Sequence, residues 1–145
     1  MTVSATTPAT TIECTFACTT WNEEAYSELE GGPKLARAYV TNTLGGGIVG
    51  TSVLEYLLMY VSEAFGTFVG YDRIEGTIGG RNGSFCVRED GTFDDTNISA
   101  ALVIVEGTGT GDLAGITGTG SYKTIHGVSE SAKITFHIAF AEAVH

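Results

Sequence analysis

Apolar and polar residues alternate with a period of two along most of this chain. Runs rich in Val, Ile, Thr, Phe and Tyr, bounded by Gly, Asp or Asn, predict eight strands. They fall at about 11–20, 35–44, 47–61, 66–78, 81–89, 97–106, 115–124 and 132–142. The stretches "GGPK", "GG" at Gly79–Gly80, "EDG" and "DDTN" carry turn chemistry, and "WNEEAYSELEGG" is expected to hold a short helical turn. No long helical period is present to cover a flat sheet. Sequential strands without helices bury their faces on one another, so the pattern predicts an all-β, eight-stranded antiparallel barrel. A barrel of that size holds its own side chains or one small ligand.

Parity assigns the inner face. "TIGGRN" predicts a two-residue hairpin with Ile78 opposite Arg81. Counting back sets Phe85 opposite Ile74 and Val87 opposite Asp72. Across the preceding loop, one register sets Glu55 opposite Arg73 and Tyr56 opposite Asp72. Leu54, Leu58, Tyr60 and Phe68 then point inward, and Phe136 joins them from the last strand, where His137 points out. The third strand is apolar on both faces, because Val53, Leu57 and Met59 alternate with the inner set. A wall facing water has no such stripe, which predicts a homo-oligomer, a dimer or trimer.

Composition narrows the function. The 145 residues suit one domain, read as a polar tail over 1–10 and a single barrel over 11–145. The net charge of −10 with seven Lys and Arg argues against nucleic acid or an anionic membrane as partner. No run reaches membrane-spanning length, and the start lacks the basic and apolar regions of a secretory signal. Cys14 and Cys18, four residues apart on a strand, lie about 13 Å from each other, too far for a disulfide. Unbridged thiols and the absent signal point to the cytoplasm. No metal-ligand spacing is present, so neither a metal nor another cofactor is expected.

The segment "GTGTGDLAGITGTGSYKT" raises the question of phosphate binding. A phosphate loop needs GxxxxGK followed by Ser or Thr, and the nearby Lys123 instead follows Tyr122. A dinucleotide fingerprint needs a helix after the glycines, whereas residues from 115 onward alternate like a strand. The glycines are therefore expected to turn and bend the chain. No Ser or Cys forms a hydrolase motif with His126 or His137.

The same segment resembles the glycine-rich run before a late strand in allene oxide cyclases and dirigent proteins. "TTWNEEAY" likewise resembles the Asn-Glu region closing the first strand of the cyclases. "TWNEEAYSELEGGPKLARAYVT", "LEYLLMY", "FVGYDRIEGTIGGRNGSF" and "GTGTGDLAGITGTGSY", in that order, resemble a bacterial family of uncharacterised domains with that barrel. The cyclase resemblance implies an apolar barrel that binds a fatty-acid epoxide and holds a water at one end. In it Asn22 matches the water-binding Asn and Pro33 a Pro of the site, while Thr20 stands where the cyclases carry Glu.

Asp72 is the first candidate for acid–base work, since an apolar barrel raises a carboxyl pKa. Glu55 is the second, live if the register slips. Trp21, Asn22 and Tyr26 are placed at one barrel mouth, where they grip a ligand or plug the end. Three functions stand side by side: a barrel binding a small apolar molecule, a cofactor-independent cyclase or isomerase, and a structural oligomer with a filled barrel.

Overall fold

A computed structural model describes residues 3–6, 9–125 and 131–144. His126 lies outside the described residues. Among them the strands are β1 (Val3–Thr6), β2 (Thr10–Ser27), β3 (Lys34–Gly46), β4 (Val49–Tyr60), β5 (Phe65–Ile78), β6 (Arg81–Asp94), β7 (Asn97–Ile104), β8 (Ile116–Ile125) and β9 (Ser131–Val144). Each of β2 to β8 pairs antiparallel with the next, and β9 pairs with both β8 and β2. Eight strands thus close one barrel-like ring. Val3–Thr6, within the segment read as a tail, pairs with the far end of β9. The one helical piece among the described residues is a three-residue 3₁₀ turn, Gly111–Leu113. None is long and apolar enough to cross a membrane.

Alternation carries through to burial. On β4, Ser52, Leu54, Tyr56 and Leu58 are buried while Val53, Glu55, Leu57 and Met59 are exposed. The β5–β6 hairpin is as expected: Ile78 faces Arg81, and Gly79 and Gly80 both take positive φ, as a type I′ turn requires. The β4–β5 register is offset by two residues from the expected one. Leu54 faces Asp72, Tyr56 faces Gly70, and Glu55 faces Tyr71 rather than Arg73. An even offset preserves parity, so the inner set is unchanged.

Two expectations fail along β2 and β6. "WNEEAYS" is strand, not a helical turn, because it pairs with β3 as far as Ser27 opposite Leu35. "EDG" is not a turn either. β6 runs on to Asp94, whose Oδ1 accepts the N–H of Thr96 at 2.8 Å and of Asn97 at 2.7 Å, and that is where the chain reverses.

The interior divides along the barrel axis. One half is solid: Ile48, Ile74, Ile78, Phe85, Ile104, Leu113 and Ile116 are buried against one another. The glycine-rich segment seals this end. Thr110 donates its N–H to Ser84 O (2.8 Å), Ser84 N–H reaches Thr110 Oγ1 (3.0 Å), and Leu113 is fully buried beneath them. A Cβ at Gly83 would collide with the Thr110 backbone, so only glycine allows the segment this close. The glycines turn and pack the chain, as expected.

Candidate functional site

The other half of the barrel is hollow. A cavity of about 530 Å³ opens where the β4–β5 and β6–β7 turns meet solvent. Its wall is aromatic, with Phe16, Trp21, Tyr56, Tyr60, Phe68, Phe93 and Tyr122 contributing rings among Val40, Leu54, Leu58 and Ile98. The rings lock edge to face: Tyr56 and Phe68 are 5.0 Å apart between centroids, and Tyr60 and Phe93 5.2 Å. Inward glycines make room for them. A Cβ at Gly91 would run into the Phe68 ring, and one at Gly66 into that of Phe93.

A β-bulge sets the mouth. Cys18 faces Asn42 but Thr20 faces Thr41, so Thr19 is an extra residue, and Thr19 and Thr20 both hydrogen-bond the Thr41 hydroxyl. Before the bulge the even residues Cys14 and Phe16 face in. After it the odd residues do: Trp21 faces Val40 and Glu23 faces Ala38. Trp21 Nε1 donates to Glu23 Oε1 (3.1 Å) and the Tyr60 hydroxyl to Glu23 Oε2 (2.6 Å). Lys34 Nζ sits 4.2 Å from the Tyr60 ring centroid.

Beneath the cavity floor lie two carboxyls, Asp72 and Glu89, exposed by only 6 % and 2 %. They hydrogen-bond each other; Ser52 also bonds Asp72, and Asn42 donates to Ser52 Oγ at 3.1 Å. The Tyr56 hydroxyl donates to Glu89 Oε1 at 3.0 Å, and Tyr122 joins the same cluster. Asp72 Oδ1 has no hydrogen-bond partner among the described residues. Burial pushes Asp72 up to about 6, against the pull of its hydrogen bonds to Ser52 and Glu89. Burial, then the charge of Asp72, pushes Glu89 up to about 8. Near neutral pH the two carboxyls therefore titrate as a pair and share one proton. Burial raises the Tyr56 and Tyr122 hydroxyls well above the ordinary tyrosine value, with Glu89 adding to it. Asn42, Tyr56 and Tyr122 belong both to this network and to the cavity wall, so they connect the buried charge to the empty space.

The structure brings Trp21, Leu54, Tyr56, Leu58, Tyr60 and Phe68 together around the cavity. Asp72 points inward but lies beneath the wall rather than in it. Glu55 lies on the outer face, as the register that set it against Arg73 had it; the odd slip that would have made it a site residue does not occur. Asn22 is corrected: the bulge turns it outward opposite Tyr39. Tyr26, the extra residue of a second irregularity between Ala25 and Ser27, is 54 % exposed and lines no part of the cavity. Phe136 is fully buried and packs in the core, not along the wall. Glu89, Tyr122, Asn42 and Glu23 were not anticipated. Glu89 was within reach, because the inward series Phe85, Val87 continues to it. The thiols of Cys14, Cys18 and Cys86 are unbridged, and burial and Asp72 push Cys14 up to about 11.

The class is thus a closed antiparallel ring, solid at one end and open at the other over an aromatic cavity. Within it, the chain belongs to the DUF3224 family, described as proteins of unknown function, whose pattern matches residues 12–137. It is similar to the crystal structure of a DUF3224-family protein of unknown function from Shewanella oneidensis MR-1, with 25 % identity and a TM-score of 0.76, covering 91 % of this chain and 98 % of that one. No curated protein matches the chain. The resemblance to an uncharacterised barrel family is met; kinship with the allene oxide cyclases finds no support in these comparisons.

Proposed function

We propose that the protein binds a small, mostly apolar molecule in the aromatic cavity. The observation that carries this is the hollow itself: about 530 Å³ of ring-lined space above a buried polar network, in a chain that packs its other half solid. Such a site buries an apolar body and orients it through few polar points, here Asn42, Tyr56 and Tyr122. The test is titration with N-phenyl-1-naphthylamine, a neutral probe that brightens on leaving water. Saturable one-to-one binding is expected, and Leu58→Trp, which fills the cavity, should abolish it without changing the circular dichroism. No saturable binding, or binding indifferent to Leu58→Trp, overturns the reading.

The buried carboxyl pair favours a second reading, a cofactor-independent isomerase or cyclase. A cavity-lining tyrosine backed by a shared proton is suited to giving a proton to one atom of a bound substrate and receiving one back from another. Asp72→Asn, which keeps the volume, would then lower turnover more than affinity.

We also infer that a second copy covers the outer face of β4, as a dimer or trimer. Val53, Leu57, Met59, Val69 and Tyr71 stand exposed there, and Glu55 lies among Arg37 and Arg73 on the same face. Opposite charges within one apolar patch suit a surface that pairs with itself.

A further inference from the structure

We infer that the cavity is built for an apolar molecule carrying one positive charge, an alkyl or aryl amine or quaternary ammonium compound, and that it disfavours carboxylates. This rests on the reading of the cavity as a ligand site. Three independent features of the wall, the mouth and the floor agree.

The wall carries seven aromatic rings and, among the described residues, no Lys or Arg side chain. Ring faces are negative, so a desolvated cation gains from them where an anion does not. Lys34 already rests on the Tyr60 ring, although its ammonium does not line the cavity. At the mouth, Glu63, Asp94 and Asp95 line the opening, and Glu23 stands beside Trp21 and Tyr60. Asp94 is also engaged by the turn it caps. In the floor, the Asp72–Glu89 pair is neutralised by no cation among the described residues, and Asp72 Oδ1 lacks a donor among them. A carboxylate entering this space would approach negative charge from both ends in a medium that screens poorly. An ammonium group would meet attraction along the whole path, and a neutral apolar body would be indifferent to it.

The chain contains a single tryptophan, Trp21, which lies in the cavity wall, so its emission reports on occupancy. The test titrates the intact protein with octyltrimethylammonium, 1-octanol and octanoate at pH 7, with calorimetry as a second readout. The ammonium compound is expected to bind about tenfold or more tighter than octanoate, with octanol between them. The gap should narrow in 0.5 M salt and in the paired surface variant Glu63→Gln, Asp95→Asn. Octanoate binding as well as the ammonium compound, while octanol still binds, overturns the charge inference and leaves the cavity reading standing. Failure of all three, octanol included, overturns both. A preference that the paired variant leaves unchanged overturns the role given to the mouth.

Discussion

The two halves of the barrel are made by the same strands and differ in what the inner residues do. Toward the β5–β6 hairpin, β5 and β6 contribute Ile74, Ile78 and Phe85, which fill the space; toward the β6–β7 turn they contribute Phe68 and Phe93, which leave it hollow. Asp72 and Glu89 sit at the divide. A solid end capped by Leu113 holds the ring in shape, and this frees the other end from having to pack. The lesson is that stability and binding are separated along the axis, not between different elements.

That separation can be broken by substitution. Phe85→Ala, in the solid half, should cost about 3–5 kcal/mol in urea unfolding, while Phe93→Ala, beside existing empty space, should cost about 1–2 kcal/mol. Equal costs would mean that the halves are not distinct. Next in size comes the divide. Glu89 and Asp72 have folded pKa values raised above their unfolded ones, so the folded protein holds more protons than the unfolded chain. Their contribution is fully present below pH of about 4 and is lost as pH rises through about 6 and then 8. Glu89→Gln should flatten this decline, keeping on the order of 2 kcal/mol that the parent loses between pH 5 and 9. A parent whose stability rises over that range would contradict the assignment.

Smaller effects sharpen the picture. Tyr56→Phe removes the hydroxyl that donates to Glu89, so probe affinity should fall by about 0.5–1.5 kcal/mol and unfolding should become easier by about 1 kcal/mol. Smallest for the fold is Leu57→Asp on the outer face, expected to shift monomer stability by less than about 0.5 kcal/mol. Its effect should appear in light scattering, as an oligomer reduced to monomers. A monomeric parent at micromolar concentration would remove the second copy from the outer face.

The ring of strands was legible because alternation and glycine-bounded turns are local signals. The inner set of β4 and β5 was legible for the same reason, and it survived a register error because that error was even. What escaped was set by single-residue events. The Thr19 bulge leaves no mark in composition, yet it exchanges Asn22 for Glu23 at the mouth. Glu89 escaped because a charged residue beside Asp90 and Gly91 has the chemistry of a turn, and only the partner strands β5 and β7 show that the chain runs straight through it.

The bulge has a consequence for how such a barrel can change. Straightening the bulge, so that Thr19 takes a place of its own in the ladder, would shift the phase of the strand beyond it, turning Asn22 and Glu24 inward and Trp21 and Glu23 outward, while the solid half keeps its pairing; deleting Thr19 would instead leave Trp21 opposite Val40 and Glu23 opposite Ala38. The chemistry at the entrance is thus encoded by the place of the bulge as well as by side-chain identity. Loss of the extra residue, ordinarily the most damaging edit to a strand, is here absorbed without changing the entrance, whereas an edit that straightens the bulge exchanges one entrance for another.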